Sequence, residues 1–259
     1  MRDILDKTAD CVLQAGSIIL DHWQKQGQLR HKGRIDLVTD TDLAVEEHLK
    51  KGLGSILPEA GFLAEESSPD QDPGHLCWII DPLDGTTNFV HRLPAVAVSV
   101  ALYQEGQLVL GLVHLPKTGE LFQALQGQGA FLGPEPIHVS SQADLEGALI
   151  ATGFPYDIQD RLQEVLPRLE RVLARSQGVR RMGSAAVDLA YTACGRLDGF
   201  YEQGLKSWDT AAGQLLVQEA GGRVSRFDPQ QEHGLGEQDI LASNGLIHAE
   251  LSRALQEDS

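Results

Sequence analysis

The sequence predicts an α+β fold of layered helices and sheets, on three observations. Two amphipathic segments open the chain. A series of β-rich segments joined by glycine turns then runs to about residue 140. From about 145 to 259, short apolar segments alternate with helical ones. A chain of 259 residues is long enough for one large domain, residues 1–259, made of two packed halves that meet near 134–146. A cleft is expected between the halves.

Each element has its own signal. Residues 3–25 place Ile4, Leu5, Thr8, Val12, Ala15, Ile19 and Trp23 at three- and four-residue steps, a helix ended near Gly27. Residues 39–57 form a second helix, with Thr39, Asp40 and Thr41 as cap candidates and Gly52 and Gly54 near its end. The apolar run 77–80 is a short buried strand. Residues 95–104 and 107–116 are β-rich and separated by Glu105-Gly106, an antiparallel hairpin that residues 120–133 continue. The GxG in that last stretch is a turn, since it lacks the strand-to-helix setting of a dinucleotide fingerprint.

Beyond the midpoint, 147–154 is a strand and 160–176 a helix that Pro167 is expected to kink. Residues 184–195 form a helix of small residues and 197–204 a strand. A helix over 209–222 closes on two glycines. Residues 223–227 and 239–244 are strands, and 246–256 is the last helix.

Composition narrows the function. The net charge of −16 repels phosphate backbones, which argues against nucleic acid as a general partner. A phosphorylated substrate would need local positive charge, and bound cations are one source. Cys11, Cys77 and Cys194 are scattered and never spaced CxxC, as expected of reduced thiols in a cytoplasmic protein. His75 and Cys77 lack further ligands nearby for a metal pair, and the nine histidines show no ligand spacing. The N-terminus carries acids through what would have to be an apolar leader. The bland run 94–102 falls well short of the roughly 18 apolar residues of a membrane span.

The chemistry concentrates in CWIIDPLDGTTNF, 77–89, where an apolar strand runs into Asp81 and Asp84. Pro82 fixes one backbone angle and Gly85 permits a sharp turn, so both carboxylates can face one point with the Leu83 carbonyl between them. Asp-Gly alone is an ordinary turn, and Thr86 or Thr87 alone an ordinary helix cap. The whole string suits an oxygen-rich cation site beside an anion-binding turn. Two carboxylates are too few for two divalent ions. LAEESS (63–68) supplies Glu65 and Glu66, and SWDTAAG (207–213) supplies Asp209. Alone, Glu65 reads as a solvated loop acid and Asp209 as the N-cap of its helix.

Together these strings resemble the inositol monophosphatase family of lithium-sensitive, Mg²⁺-dependent phosphatases. The matches are KGRIDLVTDTD (32–42), AEES (64–67), WIIDPLDGTTNFVHRLPAVAVSVAL (78–102), GSAAVDLAY (183–191) and GFYEQGLKSWDTAAGQLLVQEAGG (199–222). ATGFP and RRMGSAA point to its bacterial branch. The resemblance implies an α-β-α-β-α sandwich of the inositol monophosphatase/fructose-1,6-bisphosphatase type. It implies two or three Mg²⁺ ions held by Glu65, Asp81, the Leu83 carbonyl, Asp84 and Asp209. Gly85, Thr86 and Thr87 would meet the phosphate, with Thr86 and Glu65 orienting the attacking water. Glu202 would bond substrate hydroxyls, and Ala185 would line the pocket.

The implied reaction is hydrolysis of myo-inositol monophosphate by metal-activated water, with no covalent enzyme intermediate. Fructose 1,6-bisphosphate, histidinol phosphate and 3′-phosphorylated nucleotides are alternatives on the same chemistry. A non-catalytic regulatory protein on this fold is a further one. The family also implies a homodimer, for which VAVSVALY or the GQGAFLG hairpin is a candidate interface, and a lysine and an aspartate near the outer metal. Lys32, Asp36, Asp40 and Asp42 precede or open a helix and otherwise read as caps or solvated groups, Asp42 being a weak site candidate. Arg180 and Arg181 read as a solvated pair with phosphate steering as the alternative. Trp208 is expected to pack beneath the site. Ala64, where many members carry glycine or threonine, precedes a ligand, and the departures in 66–76 and GPEPIHV touch no ligand.

Overall fold

The structure, a computed structural model, describes residues 1–23, 29–31 and 37–256. Helix α1 (Arg2–Trp23) is followed by a two-stranded ribbon, β1 (Leu29–His31) and β2 (Leu37–Thr39), and by helix α2 (Asp40–Ile56). A seven-stranded sheet comes next: β3 (Gly61–Ala64), β4 (Leu76–Asp84), β5 (Ala97–Gln104), β6 (Gln107–Leu115), β7 (Glu120–Leu125), β8 (Ala130–Leu132) and β9 (Glu135–Ile137), in that spatial order. Only β3 and β4 pair in parallel there. The short helix α3 (Thr86–Val90) leaves the end of β4.

The later residues build a five-stranded mixed sheet from β10 (Leu149–Thr152), β11 (Gly178–Arg180), β12 (Gly199–Gln203), β13 (Arg223–Ser225) and β14 (Asp239–Ser243), in the order β11-β10-β12-β14-β13. Helices α4 (Leu162–Leu173), α5 (Ala185–Ala193), α6 (Ser207–Glu219) and α7 (His248–Gln256) are interleaved with it.

The period-two alternation of the strands sorts the helices into layers. Trp78, Ile80, Val98, Val100, Leu110 and Leu112 leave one face of the large sheet and meet Leu5, Val12, Ile19, Val45 and Leu49 of α1 and α2. Cys77, Ile79, Ala101 and Val113 leave the other and meet α5 and α6, whose far side packs on Ala151, Phe200, Ile240 and Ala242 of the small sheet. Ile150, Tyr201 and Leu241 point outward to Val172 of α4 and Leu251 and Leu255 of α7. The result is the expected α-β-α-β-α stack. The middle layer is built of small residues because two sheets press on it. A Cβ on Gly111 of β6 would sit 2.9 Å from the Ala212 carbonyl oxygen of α6.

Several expectations need amendment. The helix of 160–176 runs unbroken through Pro167 as α4. Pro167 lies in the second turn, where its ring removes one backbone donor and the amphipathic packing holds the rest. Helix α6 starts at Ser207, so Asp209 is in its first turn and is not its N-cap. The strands β1, β2, β3 and β11 and helix α3 are too short for periodicity to register. Strand β5 lies between β4 and β6 with Ala97–Leu102 buried, so of VAVSVALY only the half-buried Tyr103 reaches the surface. The expected helix end near Gly27, and Lys32 and Asp36, lie outside the described residues.

A buried histidine braces the outer layer. His248 Nε2–H donates to Ser225 Oγ (2.9 Å), whose own hydrogen goes to the Arg226 carbonyl. His248 Nδ1 then accepts from Ser243 Oγ (2.8 Å). This pattern needs the neutral ring. Burial first, and Arg223 second, push its pKa down from 6.5 to about 4. A lowered histidine pKa gives stability that is complete above the unfolded value and is lost as pH falls from about 6.5 toward about 4, on the order of 3 kcal/mol in all. Urea unfolding of wild type and His248→Gln at pH 7.5 and 4.5 should show this. The variant should lose about 2–3 kcal/mol less on acidification, and equal losses would refute the assignment.

Candidate active site

Strand β4 delivers two aspartates to one place by breaking its own register. In a regular strand, residues three apart face opposite sides. Asp81 pairs with Ser99 and Asp84 with Ala97, so β4 holds one extra residue where β5 has none. This bulge returns Asp84 to the side of Asp81, and Pro82 sits within it, where no ladder donor is required. Asp81 is 1% exposed and accepts from the Leu83 N–H at 3.0 Å.

Gly85 then turns the chain with φ 90°, and a Cβ there would meet the Ala95 carbonyl oxygen at 2.8 Å. Any other residue would be strained in angle and in space. Thr86 opens α3, its Oγ1 lying 3.0 Å from both the Leu83 carbonyl and Asp42 Oδ1. Thr87 is exposed on the same turn.

Helix N-termini surround this turn. At the start of α5, Ser184 Oγ (2.7 Å) and the Ala186 N–H (2.6 Å) both donate to Asp84 Oδ2, and the Ser184 oxygen also caps the Val187 N–H. Ala185, between them, is buried. In the first turn of α6, Asp209 accepts from the Lys206 N–H at 2.7 Å. Asp42 at the head of α2 is fully buried and accepts from the Thr39 N–H at 2.8 Å. The partial positive ends of α2, α5 and α6 thus each take a carboxylate of the site, which offsets part of the cost of gathering so many acids.

The electrostatics tie the segments together. Burial first, then Glu65, Asp84 and Asp209 in turn, raise Asp81 well above the ordinary carboxylate range. Burial raises Asp84 to about 6 against the Ser184 and Ala186 hydrogen bonds. Glu202 on β12 is pushed up to about 8, by burial and then by Asp209 and Asp84. Its carboxylate fills the space a side chain on Gly153 would need. Arg181 opposes these shifts at Asp84, Glu202 and Asp188, so its charge bears on the site although its side chain is exposed. Arg180 is exposed and shows no such influence. Trp208 packs against the middle-layer core, and its carbonyl accepts from Ser99 Oγ at 3.3 Å.

Glu65, Asp81, Asp84, Asp209 and Glu202 are therefore felt as one group of charges. Among the described residues no three His, Cys, Asp or Glu side chains stand close enough to form a finished ion cage. The donor set fits a hard cation: carboxylate and carbonyl oxygens only, from acids whose mutual repulsion a divalent ion would relieve. A cavity of about 650 Å³ lies elsewhere, lined by Arg161, Arg168, Arg171 and Arg226 among others. Arg161 and Arg168 are engaged by Glu164, Arg171 by the Ala254 carbonyl and Arg226 by Asp239, so this cavity braces α4 to α7 and the small sheet.

Two acids exceed what the sequence suggested. Asp42, read as a cap with a weak claim on the site, joins it through Thr86. Asp188 of α5 is buried with both carboxyl oxygens lacking a hydrogen-bond partner, and burial, then Glu202 and Asp84, raise its pKa well above the usual range. Ser184 had a signal in GSAA, since serine before a run of helix formers is an N-cap.

Comparison with known proteins follows the same lines. The inositol monophosphatase family model matches residues 2–259. The inositol-1-monophosphatase of Synechocystis sp. is 44% identical over 253 residues, which covers 97% of this chain and 88% of that protein. The Nus factor SuhB of Escherichia coli is 37% identical, covering 99% of this chain and 97% of its own. The solved structure of inositol monophosphatase from Anabaena (Nostoc) sp. superimposes with a TM-score of 0.89 at 38% identity, covering 98% of this chain and 95% of that one. A family match across the chain, relatives of this identity and a shared fold make it a member of the inositol monophosphatase family of phosphatases.

Proposed function

We propose that this protein is a Mg²⁺-dependent phosphomonoesterase that hydrolyses a myo-inositol monophosphate to inositol and phosphate. The observation that carries the reading is Asp81: a fully buried carboxylate whose ionisation is opposed by Glu65, Asp84 and Asp209, drawn from three separate stretches of chain. Such a group is retained where a cation neutralises it. Glu65, Asp81, the Leu83 carbonyl, Asp84 and Asp209 would hold two or three Mg²⁺ ions. When bound, these supply Lewis-acid neutralisation of the phosphoryl oxygens and lower the pKa of water.

The chain's own groups do the rest. Asp42 and the Leu83 carbonyl accept the Thr86 hydroxyl hydrogen, which leaves the Thr86 oxygen free to accept from water. Glu65 orients that water from the other side. Gly85, Thr86 and Thr87 would meet a phosphate at the turn through backbone or hydroxyl groups. Water adds to phosphorus in line, the ester P–O bond breaks, and the alcohol leaves with a proton. Glu202, raised to about 8, both donates to and accepts from polyol hydroxyls, and Ala185 lines the pocket.

We place this enzyme in the cytoplasm, consistent with free Cys11, Cys77 and Cys194, and as a lithium-sensitive homodimer by family likeness. No described helix is long and apolar enough to cross a membrane. The likeness to a Nus factor supports a second, regulatory role beside catalysis. The presence of every assigned ligand side chain favours catalysis itself.

A phosphate-release assay with and without Mg²⁺, across inositol, sugar, histidinol and nucleotide phosphates, tests the assignment. Inositol monophosphate should be turned over best, and a chelator should abolish the signal. Asp84→Asn should lower turnover by about a thousandfold or more with an unchanged far-UV spectrum, because a neutral amide replaces the carboxylate. Retained activity would refute the site. Glu202→Gln should cut kcat/KM for inositol monophosphate about tenfold while leaving p-nitrophenyl phosphate, which lacks the polyol, within about threefold. A uniform loss on both substrates would remove Glu202 from specificity.

A further inference from the structure

Helix α2 presents three polar residues on one face, Asp42, Glu46 and Lys50, at successive four-residue steps. Asp42 Oδ1 accepts from Thr86 Oγ1 at 3.0 Å. Glu46, only 3% exposed, accepts the Glu66 backbone N–H on Oε2 at 2.9 Å and the Ser67 hydroxyl on Oε1. Lys50 Nζ donates to the same Ser67 oxygen at 2.7 Å. One rigid helix therefore grips two separate turns, residues 65–68 and residues 83–86, roughly 6 Å apart along its axis.

The Glu66 N–H belongs to the peptide that leaves Glu65. On the other side, the Glu65 N–H donates to the Ile80 carbonyl, just before Asp81, at 3.3 Å. The backbone of Glu65 is thus held on both sides, by β4 before it and by Glu46 after it. Rotation of the 65–66 peptide would swing the Glu65 carboxylate relative to Asp81.

We propose that Glu46 is a positioning residue that fixes Glu65 against the Asp81–Thr86 turn and so sets the affinity of the site for divalent cation. This rests on the metal-site reading above. Glu46 touches neither substrate nor the proposed ligand oxygens; it acts through the 65–66 peptide. A buried carboxylate taking a backbone N–H and a hydroxyl is fully used, which is how groups behind metal ligands orient them.

The test is titration calorimetry of Mg²⁺ into substrate-free protein, beside the Mg²⁺ concentration that half-saturates phosphate release and thermal unfolding in chelator. Glu46→Met keeps the volume and removes both acceptors. It should weaken Mg²⁺ binding about tenfold and raise the half-saturating Mg²⁺ similarly, with most of kcat recovered at saturating metal. Glu46→Gln retains an acceptor for the Glu66 N–H and should stay within about threefold of wild type. Should Glu46→Met not fold, Glu46→Asp serves, since its shorter arm cannot hold both partners, and the same tenfold shift is expected. A variant that melts earlier in chelator but binds Mg²⁺ like wild type makes Glu46 a loop anchor and overturns the proposal. So does a loss of kcat at saturating metal with unchanged binding. Absence of Mg²⁺ binding by wild type would instead overturn the metal site itself.

Discussion

The dominant constraint on this molecule is the desolvation of Asp81. Its carboxylate is shut away from water and has three other acids as electrostatic neighbours. A buried ionised group without compensation costs several kcal/mol or takes up a proton. Everything around it acts on that cost. The bulge in β4 brings Asp84 to the same side and leaves the Leu83 N–H free to bond Asp81. Gly85 allows the turn to close against Ala95, and Asn88 ties that turn to the 182–183 loop through the carbonyls of Ala95 and Met182.

The layers explain why the acids meet where they do. Both sheets pack on the middle layer, and α5 and α6 within it start at the edge where β4 and β12 end. Helices that begin at a sheet edge bring N–H groups there, and carboxylates accept them. In a chain of net charge −16, that local supply of positive potential, with Arg181, separates a site for phosphate from a surface that repels it.

The sequence made the long periodic elements legible, and the carboxylates that carry the family's motifs. The helices at α1, α2 and α6 and the β5–β6 hairpin have enough turns or alternations to register. Strands of three or four residues such as β3 and β11 do not, although β3 is what places Glu65 beside Ile80. Asp42 looked like a cap because it is one, to the Thr39 N–H. Its second oxygen, on Thr86, is a contact across 44 residues that no local pattern encodes. Asp188 hid for a different reason. In α5, a helix rich in alanine, nothing local marks one aspartate as part of a site, and only the tertiary fold buries it.

The acids of the site come from different parts of the frame. The acids assigned to metal come from the turn after β3, from β4 and from α6, and two further buried acids, Glu202 and Asp188, come from β12 and α5. Burial and the neighbouring acids raise Glu202 to about 8 and Asp188 well above the usual carboxylate range, so both favour the neutral form more than an ordinary acid does. On the proposed reading, substitution on β12 retunes which alcohol is held while β4, its bulge and the turn at Gly85 stay as they are. A fold organised this way can host several phosphomonoesterases on one unchanged floor.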